Sequence, residues 1–319
     1  MTKFDVVVEG AGPAGATAAY YLAKQGKSVA LVDRAKFPRE KACGGGLCVH
    51  IEEFDHIIDN WDDFLESKCK RGIVYGPDGL AVDYTQETPF FYNIRRFTFD
   101  NKLVEYAVDA GATLMEGIAV KDFHVTPDEV VTELRDGSTL ESEVIIGAGG
   151  SFDLVARRIR ANEGLPMKWR DEDIATALYL EIEVGREYMD HVYGPERISM
   201  AHVKFQGLDG YGWSFSKDTV LNVGIGCPRS TIRRAKEDNP GWDERQYLLD
   251  YVMTLKEQGW FPRDIEVTRE MLAGSNIPVG MGLQPSAGDR MLVVGDAGGF
   301  VSPLSGDGLY YAVDSGQLA

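Results

Sequence analysis

The chain has 319 residues, 44% hydrophobic and 26% charged, enough apolar material for a core spread over two domains. Its 33 Lys and Arg against 50 Asp and Glu leave a net charge of -17, which argues against nucleic acid or an anionic membrane face as the main partner. No apolar run reaches the roughly 18 residues of a membrane-spanning helix, and Met1 to Val8 lacks the basic and apolar regions of a targeting segment, so the expected location is cytoplasmic.

The first 34 residues hold the clearest signal. The apolar run Val6 to Val8 leads into Gly10-Ala11-Gly12-Pro13-Ala14-Gly15, and Ala18, Ala19, Leu22 and Ala23 then recur at helical spacing until Gly26. Val29 to Val32 forms a second strand ending in Asp33, 18 residues past Gly15. In such a unit the first glycine makes the tight turn, the second admits a pyrophosphate and the third lets helix and strand pack closely. The phosphates sit on the helix N-terminus, where free N–H groups and the macrodipole favour negative charge. The acid accepts hydrogen bonds from ribose hydroxyls. The segment therefore predicts dinucleotide binding. Glu9, just before the turn, is charged where an apolar residue is usual.

Residues 41 to 47, KACGGGL, place three glycines in a row, which requires an unusual conformation or a close approach to the backbone. Cys43 beside them reads as a redox partner, a metal ligand or a small apolar residue. Cys43, Cys48, Cys69 and Cys227 have no metal-ligand spacing, so no metal is expected.

Further along, Phe99, Leu103 and Ala107 predict a helix capped by Thr98 and ended by Gly111. Alternation around Val130 to Leu134, a turn at Asp136-Gly137 and the run from Glu143 to Gly150 predict a hairpin and a buried strand entering a glycine turn. Ala175 to Val184 and Ile198 to Gly226 predict a separate antiparallel sheet. Within it, alternation puts Tyr211, Trp213 and Phe215 on one face and Gly212, Ser214 and Ser216 on the other. Near the end, the strand from Met291 to Val294 enters Gly295-Asp296, and Ser305-Gly306-Asp307-Gly308 opens a helix from about Leu309. Two glycine turns with an acid beside a polyol chain suit FAD better than NAD.

Taken together, GxGPAG with Asp33, CGGGL, RxxFD, YGWSF and GDAGGFVSPLSGDGLYYA resemble the geranylgeranyl reductase family of flavoproteins. The resemblance implies the α/β fold of FAD-dependent aromatic hydroxylases. A Rossmann-like, three-layer FAD-binding domain would come from residues 1–80, 95–165 and 275–319, and a substrate-covering antiparallel sheet domain from 81–94 and 166–274. Relatives continue into a further helical region beyond the point where this chain stops. The adenosine and pyrophosphate of FAD would lie against Gly10, Gly12, Ala14, Gly15 and Asp33. Cys43, Gly44 and Gly46 would run beside the flavin, with backbone lining the ring and a prenyl tunnel. Arg96, Ala119, Asp296, Gly306, Gly308 and Leu309 would complete the cofactor site, and Tyr211 and Trp213 would line the substrate cavity. Three positions depart from the family: Ala42 and Ser216 stand where prolines are common, and Gly147 to Gly150 lacks the acid of the usual Gly-Ala-Asp-Gly turn.

The implied activity is FAD-dependent saturation of carbon–carbon double bonds in geranylgeranyl chains, on archaeal-type ether lipids, prenyl diphosphates or chlorophyll precursors. The implied partners are that prenyl lipid or diphosphate and a low-potential donor such as ferredoxin, with peripheral membrane contact left open. Cys43 or an ordered water would supply the proton. The alternatives are a flavin monooxygenase or halogenase on the same fold, against which Tyr211 and Ser216 count, and a non-catalytic FAD-binding fragment.

Overall fold

Thr2–Glu9 lies at the heart of an eight-stranded sheet, and its Val6, Val7 and Val8 are all buried, as a strand covered on both faces requires. The computed structural model describes residues 2–280 and 285–319. This first strand pairs in parallel with Val29–Asp33 on one side and Thr139–Gly147 on the other. Thr113–Glu116 and Met291–Val293 extend the parallel part. The expected hairpin is present: Val130–Leu134 pairs antiparallel with Thr139–Gly147 across the Asp136-Gly137 turn, and Val120–Val125 pairs antiparallel on its other side.

Helix Pro13–Lys24 connects the first two strands. Proline at its start costs no hydrogen bond because the first N–H groups are orphaned in any helix. Its small buried face of Ala14, Gly15, Ala18 and Ala19 lets two helices, Arg96–Asp109 and Leu309–Leu318, pack closely against it. A Cβ on Gly316 would stand 2.4 Å from the Ala14 carbonyl oxygen, so the third helix depends on that glycine. Helix Arg96–Asp109 starts two residues before the expected Thr98 cap. Arg96 and Asp100, one turn apart, form a two-pronged ion pair of 2.6 and 2.8 Å that fixes the first turn, and Thr98 falls inside it.

The separate sheet has seven strands, in the order Ala273–Pro278, Ile174–Glu183, Val220–Pro228, Tyr211–Ser216, Ile198–Val203, Arg71–Tyr75 and Ala81–Thr85. All its pairs are antiparallel except Ile198–Val203 with Arg71–Tyr75. Helix Glu244–Gln258 covers one face, with Tyr251 lying where a side chain on Gly212 would point. The strand pairing moves three expected boundaries. Arg71–Tyr75 and residues 275–278 of Ala273–Pro278 pair into the seven-stranded sheet rather than the cofactor sheet. Phe91–Ile94, expected in the covering sheet, instead forms a small third sheet with Gly46–Cys48 and Leu65–Cys69. Backbone pairing decides membership here, and alternation within a short strand does not reveal its neighbour. Among the described residues no helix is long and apolar enough to cross a membrane.

Candidate active site

The first glycine turn has the geometry its sequence implies. Gly10 adopts φ +100, and a Cβ there would meet the Ala148 carbonyl oxygen at 2.4 Å, while one on Gly15 would meet the Gly10 oxygen at 1.9 Å. By contrast, a Cβ on Gly12 would have only an Arg39 nitrogen within reach, at 3.7 Å, so this face is open. Among the described residues no side chain caps the helix that follows, and its first turn carries no acid. Free N–H groups facing open space are what a pyrophosphate needs, so the residues fit the expected cofactor. Asp33 stands at the end of its strand as expected, and also braces the turn, accepting from the N–H groups of Ala11 (2.7 Å) and Ala35 (2.8 Å). Ala119 follows the neighbouring strand, where Ile118 donates to the Asp33 carbonyl oxygen.

Three distant segments converge beside this turn, at the same C-terminal end of the parallel strands. Asp296 Oδ1 lies 3.6 Å from where a Cβ on Gly308 would stand. Burial pushes the Asp296 carboxyl pKa up, while Lys41 and Arg96 pull against it. Burial also disfavours charge on Arg96, but Asp100 and the adjacent Cys43 outweigh it and hold the guanidinium above its ordinary pKa. Cys43 Sγ accepts from the Gly45 N–H at 3.3 Å. Leu309 is buried and opens the last helix, whose N-terminus is less free than expected because Tyr310 N–H donates to Asp307 Oδ1 at 3.4 Å.

The glycine triplet is explained by its neighbours. A Cβ on Gly44 would stand 2.8 Å from Phe215 and 3.1 Å from Trp213 Nε1, and one on Gly46 would stand 2.2 Å from Phe91 and 3.1 Å from Phe215. Gly45 has φ +77 and abuts the Ile94 carbonyl oxygen. The triplet therefore lets backbone pack directly on the aromatic face of strand Tyr211–Ser216. At the far end of that face, Tyr211 Oη donates to the Ser305 carbonyl oxygen at 2.7 Å and takes the place of a side chain on Gly306, whose φ is +70. The alternation of Tyr211, Trp213 and Phe215 thus presses one aromatic stripe against both glycine segments.

Glu9 also finds its place. Asp153 Oδ2 lies 2.9 Å and Glu9 Oε1 3.5 Å from where a Cβ on Gly149 would stand. Two carboxyl groups from elsewhere thus occupy the space of the acid missing from this turn. Burial raises the Asp153 pKa to about 6; Glu9 is pushed well above 4.5 by burial first and by Asp153 second.

Sequence reasoning missed the charged wall that flanks the stripe on the same face of the sheet. A cavity of about 340 Å³ is lined by Lys41, Cys43, Arg95, Arg96, Tyr179 and Glu181, among others. Asn222 and Gly224 stand between the stripe and this wall, paired in register with Glu181 and Tyr179. Strand register pairs Trp213 with Gly224, and a Cβ there would stand 2.2 Å from the indole. The short turn after Ser216 was the available signal, since it sets which residues face the stripe.

Residues 1–139 match the Thi4 family. A menaquinone reductase of Mycobacterium tuberculosis is 28% identical over 99% of this chain and 75% of its own length. A geranylgeranyl diphosphate reductase of Rhodobacter capsulatus is 30% identical over 99% of this chain and 74% of its own. The chain belongs to the geranylgeranyl reductase family. Members are FAD-dependent oxidoreductases, which accounts for the open first turn and the second glycine segment. The crystal structure of a geranylgeranyl bacteriochlorophyll reductase-like protein of Thermoplasma acidophilum shows the same fold, with TM-score 0.81, 23% identity and coverage of 99% of this chain and 77% of that one.

Proposed function

We propose that this geranylgeranyl reductase family member saturates carbon–carbon double bonds in the prenyl chain of a lipid or diphosphate, using FAD. The observation that carries the reading is the aromatic stripe pressed against both glycine segments. It gives the cofactor region an apolar wall suited to an alkene. Relatives that are named for geranylgeranyl diphosphate and digeranylgeranylglycerophospholipid supply the substrate class.

FAD bound along Gly10 to Gly15, Asp33, Ala119, Arg96, Asp296 and Gly306 to Leu309 supplies the reducing equivalents. The chain's own residues do the rest. An isolated alkene accepts hydride poorly, so positive charge developing at the other carbon must be stabilised or met by a proton. The faces of Trp213 and Phe215 offer negative quadrupole to such charge and exclude water. Cys43 Sγ, which accepts from the Gly45 N–H and lies against Arg96, would hold that proton, with ordered water as the alternative. A low-potential donor such as ferredoxin supplies the electrons, because no second dinucleotide fingerprint stands in the sequence.

Anaerobic incubation of the dithionite-reduced protein with a panel of prenyl lipids and diphosphates, read by mass spectrometry, tests the reading. Gains of two daltons on at least one prenyl chain are expected. An oxygen requirement with a hydroxylated or halogenated product would replace it with the monooxygenase reading.

A further inference from the structure

Asn222 lies on strand Val220–Pro228, fully buried and outside every glycine turn. Its side chain makes three hydrogen bonds. Oδ1 accepts from Trp213 Nε1 at 2.8 Å, and Nδ2 donates to the Cys43 carbonyl oxygen at 3.1 Å and to Glu181 Oε2 at 2.8 Å. That Glu181 oxygen is held in turn by Lys217 Nζ at 3.0 Å, and the lysine is 1% exposed. A side-chain amide is the group that accepts at one end and donates twice at the other. Trp213 reaches Asn222 diagonally across the strand pair, a path left open because Gly224 has no side chain.

These contacts join three parts of the site that the backbone brings in separately. Trp213 belongs to the aromatic stripe, Cys43 to the glycine triplet, and Glu181 with Lys217 to the charged wall of the cavity. The main chain at Cys43 has no sheet partner, since pairing in that segment starts at Gly46. The Asn222 amide therefore ties this loop to the covering sheet at the position of the candidate proton-holding group.

We propose that Asn222 is a positioning residue that fixes the Cys43 loop against the aromatic stripe. It acts through Cys43 and Trp213 and does not touch the reacting atoms. The consequence for turnover rests on the prenyl reductase reading, but the placement of Cys43 does not.

The experiment compares the FAD-loaded wild type, Asn222→Asp, and the pair Asn222→Asp with Glu181→Gln. The single change keeps an acceptor for Trp213, loses the donor to Cys43 and sets a carboxylate beside Glu181, so it lowers the melting temperature. Adding Glu181→Gln removes the like-charge clash and supplies a donor to the new carboxylate. The pair keeps the wild-type charge count and the acceptor for Trp213, moves the carboxylate from position 181 to 222, and leaves the Cys43 carbonyl oxygen without its donor. It should regain most of the melting temperature that the single change loses, yet its Cys43 should react with iodoacetamide about fivefold faster than in wild type, the factor for one net hydrogen bond. Turnover of the best prenyl substrate should fall in kcat with KM unchanged. A pair with that recovery and wild-type alkylation would show that Asn222 only fills the core, and would overturn the proposal. If the pair does not regain its melting temperature, hydrogen exchange on Asn222→Asp decides. Lost protection confined to residues 41–47 supports the tether; loss spread over Tyr211–Ser216 and Val220–Pro228 overturns it. Wild type without prenyl turnover would count against the functional reading alone, because alkylation and exchange report on the loop directly.

Discussion

Gly44→Ala is the sharpest test of why the chain carries three glycines. Gly44 does not need a left-handed backbone, so its sensitivity comes from space alone. The new methyl would stand 2.8 and 3.0 Å from two Phe215 ring carbons and 3.1 Å from Trp213 Nε1. Contacts that short force the ring or the loop to move, and overpacking of this kind costs about 1 to 3 kcal/mol. Alanine recovers about 0.4 to 1 kcal/mol by restricting the unfolded chain. The mid-range net loss is about 1.3 kcal/mol, a drop of roughly 3 to 5 °C in melting temperature at about 2 to 4 °C per kcal/mol for a domain of this size. Phe215→Leu in the same chain empties the space the methyl needs, so the double variant should recover most of the loss that Gly44→Ala causes in a Phe215→Leu-free chain. Thermal melts of the four chains, with flavin absorbance read alongside, complete a double-mutant cycle. Additive losses, or a Gly44→Ala chain as stable as wild type, would show that Phe215 is not what excludes the side chain.

Asp33→Ala should weaken FAD by about 1 to 3 kcal/mol and, because Asp33 braces the Ala11 and Ala35 N–H groups, lower the apoprotein melting temperature as well; flavin titration that matches wild type would refute the ribose assignment. Tyr211→Phe removes the bond to the Ser305 carbonyl oxygen and should speed hydrogen exchange at residues 302–310 while leaving the sheet protected; unchanged exchange would refute the clasp. Glu9 holds its proton more tightly in the folded chain than in the unfolded one, where its pKa is near 4.5, so its contribution makes stability fall as pH rises above that value. Glu9→Gln should therefore match wild type near pH 4 and be the more stable chain at pH 8, as read by urea melts. Parallel stability curves would contradict the buried, proton-holding state.

The elements most legible in the sequence were those whose local chemistry and tertiary role agree. The Gly10 to Gly15 turn, the Asp136-Gly137 hairpin and the helix from Leu309 each sit where their own residues place them. The helix before Gly111 began early because the Arg96–Asp100 pair outweighed a threonine cap. Strands Arg71–Tyr75 and Phe91–Ile94 were misplaced because partner choice is a long-range property that a short apolar run does not encode. At the site, alternation was enough to find the aromatic stripe. The Asn222, Glu181 and Lys217 contacts were hidden because each joins residues more than 30 apart or turns on which way one buried amide faces. Glu9 looked anomalous until folding put it beside Asp153 in the space next to Gly149.

The central claim, that bound FAD reduces a prenyl double bond, is tested most directly by a single turnover. The dithionite-reduced protein, freed of excess reductant, is mixed anaerobically with a prenyl substrate, and flavin absorbance is followed while the lipid is sampled for mass. The account predicts that the oxidised flavin spectrum returns without oxygen and that one two-dalton gain appears per flavin reoxidised. Flavin that stays reduced with every prenyl substrate until oxygen is admitted would contradict it.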